Sequence, residues 1–283
     1  MDSGILLLDC PDRRGIVAAI AQFLYDHGGN ILHADQHQDN LVGNFFMRVE
    51  WSLAGFDLEE PTFREQFDLI AQKFQMHWHL AWPARRPRIA IFVSRYQHCL
   101  VDLLYRNQIG ELAGEVALIV SNHTDARPRA AFYGIPFYDF PMTAENKLEV
   151  EKCEIALLAQ NNVDLIVLAR YMQVLSPQFV ARYPRRIINV HHSFLPAFAG
   201  AKPYHAAFER GVKLIGATSH YVTEELDEGP IIEQDVTRIS HRDQAQDLVQ
   251  KGRDLERVVL SRAVHWHLAH RILVYGNKTV IFD

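Results

Sequence analysis

The chain has 283 residues, of which 29 are Lys or Arg and 34 are Asp or Glu, so its formal net charge is −5. At about 150 residues per domain, this length indicates two domains. Hydrophobic residues make up 48%, which excludes wholesale disorder, and the mildly acidic balance provides no cationic field for nucleic acid. We therefore expect no nucleic-acid partner.

The sequence predicts neither a membrane span nor an export signal. The longest stretch free of Asp, Glu, Lys and Arg, residues 187–201, contains polar side chains and is shorter than the ~20 apolar residues of a transmembrane helix. Asp2 stands where a signal peptide carries positive charge. The three cysteines form no Cys-x-x-Cys pair, which indicates free thiols in a reducing compartment and no zinc site. We expect a cytoplasmic protein without a membrane partner or a bound metal.

Residues 1–82 have the pattern of one small domain. Apolar residues change between strand and helix spacing along this stretch, and Gly28 with Gly29 ends the first helix. The resulting β-α-β-β-α-β order is typical of a ferredoxin-like fold. The predicted elements are a strand at 5–8, a helix at 16–27, strands at 31–38 and 44–52, a helix at 63–74 and a strand at 76–81.

A Pro- and Arg-rich break at residues 83–88 is the predicted linker to a second domain at 89–283. In that domain, short unalternating apolar runs are separated by helical segments. Such runs are typical of strands buried on both faces, so we predict an α/β fold with a Rossmann-like, mostly parallel sheet. The predicted strands are 89–93, 117–120, 165–168 and 187–188, and the predicted helices are 100–106, 147–161, 177–182 and one around 255–266, before a closing hairpin at 276–277.

Ligands of such a sheet bind beyond the carboxyl ends of its strands, and Asn189 and His191 stand at one of these ends. At spacing i, i+2 on a strand, their side chains point to the same side. An amide beside an imidazole can polarise a carbonyl and stabilise an oxyanion. The alternative is that both residues cap the strand end and bond to the backbone.

Asp227 is a second candidate, because it lies between an apolar residue and a Gly-Pro turn that leads into an apolar strand. A carboxylate at such a position can move protons at a reacting centre. The surrounding glutamates also fit a solvated acidic loop without chemistry, which is the alternative here.

Together, the order Asn-x-His, a His-Tyr-Val strand about thirty residues on, and an Asp in Leu-Asp-Glu-Gly-Pro resembles the folate-dependent formyltransferase superfamily. The resemblance implies a catalytic trio of Asn189, His191 and Asp227, with His220 as a supporting residue that orients Asp227 or a water. Residues 168–175 resemble the segment that holds the pterin ring. This implies a folate pocket that includes Arg170, Met172, Val174 and Leu175, although the three apolar residues alone would also fit ordinary core.

Within the superfamily, the chain resembles the formyltetrahydrofolate deformylase family along essentially its whole length. His192 stands where amine-formylating relatives have Pro, and segments 191–198, 202–205, 211–218 and 252–256 are similar to that family. Segments 12–15, 35–37 and 45–49 look like its ACT domain. The resemblance implies hydrolysis of 10-formyltetrahydrofolate to tetrahydrofolate and formate, with formate supplied to purine synthesis and no tightly bound cofactor.

The residues after the first strand of the second domain support hydrolysis independently. A phosphorylated amine is favourably bound by a Gly-rich turn whose N–H groups cradle the phosphate. Residues 94–99 contain no glycine, so water is the simpler acceptor. Arg95 can still bind an anion, so formyl transfer to an amine stays open, as does a non-catalytic regulator that binds folate or an amino acid.

The ACT resemblance implies a regulatory first domain. By analogy, an amino-acid effector such as glycine or methionine contacts Asp12, Gly15 and Asn30, and the chain forms a homo-oligomer.

Overall fold

The computed structural model describes residues 2–82, 85–196 and 203–283, so the first two residues of the predicted linker, 83 and 84, lie outside the described part. The chain divides into two compact units. The first unit comprises Met1–Arg85, His270–Tyr275 and Thr279–Asp283, and the second comprises Arg86–Ala269 and Gly276–Lys278. The first unit therefore takes up most of a C-terminal stretch that the sequence assigns to the second domain.

The first unit has the predicted β-α-β-β-α-β order, which is confirmed. Its four strands form an antiparallel sheet in the order β2-β3-β1-β4. Leu6 and Leu8 of β1 face a core that contains Phe63 and Phe67 from the second helix, because alternate strand residues point to the same face. The elements are β1 Ser3–Pro11, α1 Ile16–Asp26, β2 Asn30–Asp39, β3 Asn44–Ser52, α2 Glu60–Phe74 and β4 His77–Ala81.

The opposite face of this sheet explains why C-terminal residues belong to the first unit. Leu7 of β1 and Phe46 of β3 form a small apolar cluster with Leu273 and Phe282. The predicted closing hairpin is confirmed, and it covers apolar side chains that β1 and β3 present on the face away from their helices.

The second unit contains a seven-stranded sheet in the order β11-β10-β9-β8-β5-β6-β7. Strands β5 to β9 pair in parallel, whereas β10 is antiparallel to β9 and β11, so the predicted mostly parallel sheet is confirmed. The elements are β5 Arg88–Val93, α3 His98–Gln108, β6 Glu115–Ser121, α4 Arg127–Phe132, β7 Phe137–Asp139, α5 Lys147–Gln160, β8 Leu165–Leu168, α6 Pro177–Arg182, β9 Ile187–His191, α7 Pro203–Arg210, β10 Leu214–Tyr221, β11 Ile231–Arg238 and α8 Ala245–Leu268. The C-terminal hairpin, most of which belongs to the first unit, consists of β12 Ile272–Tyr275 and β13 Lys278–Ile281.

Three short elements, α4, β7 and α7, were not predicted. The three residues of β7 are at most half-buried, so they form no continuous apolar run, and six-residue α4 is too short to show helical periodicity. Among the described helices, none combines the length and hydrophobicity needed to cross a membrane.

The strand order changes direction between β5 and β8, since β5 continues to β6 on one side and to β8 on the other. A backbone hydrogen bond connects the two segments that follow β5 and β8, because the Ser94 N–H donates to the Arg170 carbonyl at 3.2 Å. In an open α/β sheet, this switch point and the neighbouring strand ends are where ligands bind. The fold thus brings the ends of β5, β8 and β9 to one edge.

Candidate active site

Strands β9 and β10 bring the predicted polar residues together. They are antiparallel and in register, with His220 opposite Asn189 and Thr218 opposite His191. The Asn189 amide nitrogen lies 3.2 Å from His220 Nε2. Both histidines are buried, so the strand end carries a group of polar side chains shielded from water.

Asp227 reaches this group from the loop between β10 and β11. Its Oδ2 lies 3.2 Å from His191 Nδ1, and its Oδ1 lies 3.6 Å from His220 Nε2. The loop can return this closely because residue 229 is a glycine. A Cβ at this position would collide with the Tyr221 carbonyl. Asp227 itself has a φ of 58°, a left-handed conformation that Asp and Asn tolerate better than most residues.

The electrostatics of the group keep the acid ionised. Hydrogen bonding to His191, and then to His220, lowers the pKa of Asp227 below its ordinary value of 3.8 and outweighs the opposing effect of partial burial. His220 Nδ1 lies 2.9 Å from the Tyr221 carbonyl oxygen. Because a carbonyl only accepts, Nδ1 carries a proton, and Nε2 is the ring nitrogen that faces Asn189 and Asp227.

The second ring nitrogen of His191 is poised for a ligand. Nε2 is buried and has no hydrogen-bond partner among the described residues. Buried polar atoms are nearly always satisfied, so such an atom calls for an explanation. When His191 carries a proton on both ring nitrogens, Nδ1 donates to Asp227 and Nε2 can donate to a substrate oxygen.

The four predicted folate-pocket residues lie in the segment after β8 and differ in their exposure to solvent. Met172 and Val174 are 49% and 54% exposed, whereas Leu175 is 8% exposed and packs in the apolar core. Arg170 is 9% exposed, and its Nε lies 3.5 Å from Glu256 Oε2. Met172 and Val174 therefore present apolar surface that the core does not use.

Two buried glutamates of α5, which are not among the predicted residues, bind this segment at both ends. Glu154 Oε1 accepts a hydrogen bond from the Tyr171 hydroxyl at 2.8 Å, and Glu151 Oε1 accepts one from the Ser176 N–H at 2.9 Å. The two glutamates and Leu158 share one buried helix face. Their i, i+3, i+7 spacing was the available signal.

We expect Glu154 to make stability pH-dependent near neutrality. Burial, helped by the charge of Glu151, raises the pKa of Glu154 to about 7 despite the Tyr171 hydrogen bond. Between about pH 4.5 and pH 7 the folded chain thus keeps a proton that the unfolded chain releases. Stability should fall as the pH rises through this window, by about 3 kcal/mol in total.

Urea unfolding of the wild type and Glu154→Gln at pH 5 and pH 8 checks this prediction. The variant should show a smaller loss of stability with rising pH, because glutamine does not titrate. Glu149→Gln, which removes an exposed carboxylate from the same helix, is the matched control and should behave like the wild type. Equal pH dependence in Glu154→Gln and the wild type would contradict the assignment.

The first unit contains a cavity of about 350 Å³ between the start of α1 and β2. Asp12 and Gly15 line it, together with Gln36, His37 and Phe45. Gly15 has a φ of 94°, which favours glycine at this turn. The third predicted effector contact, Asn30, is not among the lining residues.

Comparisons with known proteins match both units. A family model described as "Formyl transferase" matches residues 87–264, and one described as "ACT domain" matches residues 4–63. The chain is similar to a protein named formyltetrahydrofolate deformylase from Synechocystis, with 56% identity over 98% of this chain and 97% of the relative. A Bacillus subtilis protein of the same name is 51% identical over 100% and 94% of the two chains.

Solved structures show the same likeness. The crystal structure of a formyltetrahydrofolate deformylase from Pseudomonas syringae superposes with a TM-score of 0.97 at 48% identity and covers 100% of this chain and 95% of that one. A glycinamide ribonucleotide transformylase from Symbiobacterium toebii superposes with a TM-score of 0.66 at 29% identity. That likeness covers 72% of this chain and 98% of the transformylase.

Proposed function

This chain belongs to the formyltetrahydrofolate deformylase family and hydrolyses 10-formyltetrahydrofolate to tetrahydrofolate and formate; we propose that Asn189, His191 and Asp227 carry out this reaction. The two alternatives from the sequence, formyl transfer to an amine and non-catalytic regulation, are not favoured. The observation that carries the proposal is the 3.2 Å approach of Asp227 to His191 across 36 residues of sequence.

Asn189 and His191 stabilise the charge that develops when water attacks the formyl carbon. The formyl oxygen then becomes an oxyanion, and preorganised donors aimed at it lower the barrier. His191 Nε2 has no other partner among the described residues. The Asn189 amide has two N–H groups, so one can remain near His220 while the other donates to the oxyanion.

Asp227 moves the proton. Its ionised carboxylate accepts a hydrogen bond from the attacking water and orients it, and a water proton passes through the carboxylate to the leaving N10 nitrogen. The lowered pKa of Asp227 keeps the carboxylate ionised, so it can accept the hydrogen bond from water. The water oxygen forms the new bond to carbon, and the bond from carbon to N10 breaks.

Met172 and Val174 support the folate ring system in this proposal. Both side chains are exposed, and a flat aromatic substrate would bury them. The glutamates of α5 hold the ends of the segment and thereby set its shape. Folate is a substrate here and is consumed, so it is not a resident cofactor.

One assay tests the function directly. The purified protein is incubated with 10-formyltetrahydrofolate without any acceptor, and formate and tetrahydrofolate are both measured. Equimolar release of the two products is the expected result. Production of tetrahydrofolate only after an amine is added would support a transferase instead, and folate binding without turnover would support a regulator.

For the first unit, we propose an amino-acid effector that binds in the cavity lined by Asp12 and Gly15. ACT domains typically bind amino acids, and the cavity offers a carboxylate for an ammonium group. By the same analogy, we propose that the chain forms a homo-oligomer in the cytoplasm. We also propose that the released formate is supplied to purine synthesis.

Calorimetric titration with glycine and with methionine checks the effector site. Asp12→Ala should weaken binding at least tenfold, because it removes the carboxylate of an acidic residue that lines the cavity. The exposed Asp68→Ala on α2 is the matched control. Asn30→Ala should leave the affinity unchanged. A large loss of affinity in that variant would show that the effector binds outside the cavity. Absence of binding by both amino acids, with no effect on the rate, would contradict an effector of this class.

A further inference from the structure

Five side chains contact one another near the point where the sheet changes direction. We call this group the switch-point cluster, and it consists of Tyr96, His98, Arg170, Tyr204 and Glu256. The first two follow β5, and Arg170 follows β8. Open α/β sheets bind ligands at this point, so side chains that occupy it decide which ligands can enter.

Glu256 is the centre of the cluster. It is 1% exposed, and its Oε2 lies 2.7 Å from His98 Nε2 while its Oε1 accepts the Tyr204 hydroxyl at 2.9 Å. Burial alone raises its pKa, but the hydrogen bond from His98 and the charge of Arg170 bring the pKa below its ordinary value. Metal-ligating atoms of His98, Cys99 and Glu256 also lie within 4.8 Å of one another, yet the nearby guanidinium opposes a cation there.

One strained residue and one close side-chain approach accompany the cluster. Arg170 has a φ of 64°, a conformation that costs a side chain about 1 kcal/mol or more and that favours glycine. One turn before Glu256, a Cβ on Gly252 would collide with the Tyr204 ring, so α8 lacks a side chain where the ring enters. Strain of this kind clusters at functional sites.

The cluster lies beside the catalytic trio. Strand β8, which precedes Arg170, pairs in parallel with β9, and Leu168 is the partner of Asn189. The ring of His192 bridges the two groups, with its centroid 5.1 Å from that of His191 and 6.2 Å from that of Tyr204. The residue that follows His191 is therefore in ring contact with both the trio and the cluster.

We propose that the switch-point cluster excludes amine acceptors, so that only water reaches the formyl carbon. The proposal rests on the hydrolytic function proposed above. A transferase forms a bond from the acceptor nitrogen to the formyl carbon, breaks the bond to N10 and moves an amine proton to N10. An acceptor larger than water needs room beside the trio for this reaction. The ion pair of Arg170 with Glu256 removes that room and leaves hydrolysis as the outcome.

The substitution Arg170→Gly tests the proposal. It removes the guanidinium and relieves the left-handed conformation, while Glu256 keeps His98 and Tyr204 as partners. The matched control is Arg185→Gly, because Arg185 has a φ of 58° but is exposed. Each protein receives 10-formyltetrahydrofolate with increasing glycinamide or hydroxylamine, and the ratio of N-formyl product to formate is measured. This ratio does not depend on how far the total rate falls.

The wild type and Arg185→Gly should release formate only. Arg170→Gly should form N-formyl product in proportion to the amine concentration, at a ratio at least tenfold above the wild type. An unchanged ratio in folded Arg170→Gly would overturn the proposal. A folded variant without either activity would also overturn it, because Arg170 would then belong to the hydrolytic machinery.

A second variant keeps the test decisive if Arg170→Gly fails to fold. Tyr96 is 47% exposed, and its ring lies 5.4 Å from the Arg170 guanidinium carbon. Tyr96→Ala therefore opens the edge of the cluster without unpairing a buried charge. A raised ratio supports the proposal, and a ratio equal to that of the wild type overturns it. Formate release by the wild type without amine tests the hydrolytic function separately.

Discussion

Replacing His191 or Asn189 with alanine is expected to lower the kcat of formate release by about 10²–10³, because each substitution removes one donor to the oxyanion. KM should change little, since the charge that these donors stabilise exists in the transition state and not in the bound substrate. Steady-state kinetics with 10-formyltetrahydrofolate give both parameters. The expected pattern is thus a loss confined to kcat.

A control separates this catalytic effect from a loss of structure. His241 is an exposed histidine of the same unit, so His241→Ala should retain the wild-type kcat. Thermal unfolding should show that all three variants are folded at the assay temperature. If folded His191→Ala keeps kcat within a few-fold of the wild type, the oxyanion role of His191 is wrong.

Replacing Asp227 with asparagine is expected to lower kcat by about 10²–10⁴, the usual contribution of a positioned proton-transfer group. Asparagine has nearly the same shape and tolerates the left-handed conformation at this position. It cannot take a proton from water, so the loss should reflect chemistry rather than folding. Near-normal turnover in this variant would exclude the proton-transfer role.

Glu224→Gln is the matched control for Asp227→Asn, because Glu224 is an exposed carboxylate in the same loop. The pH profile provides a second check. The pKa of Asp227 lies below its ordinary value, so its carboxylate stays ionised as the pH falls to about 4. Protonation of Asp227 should therefore cause no loss of wild-type activity between pH 5 and pH 8.

The sequence by itself determined most of the longer elements and the side of β9 on which its polar residues stand. Buried strands and amphipathic helices differ in the period of their apolar residues, which is a local property of the chain. The same holds for Asn189 and His191, because two residues separated by one position on a strand share a face. The order of motifs along the chain then indicated the family, and the relatives confirm it.

Only the tertiary structure decided which distant groups meet. Asp227 reaches His191 because β9 and β10 pair in one register and the following loop turns back. Glu154 and Glu256 were not identified, because glutamate in a helix is normally solvated and becomes informative only when its burial is known. The C-terminal hairpin joins the first unit through Leu273 and Phe282. Such contacts depend on loop direction and on packing between segments far apart in the chain. The local periodicity of apolar residues contains no information about either.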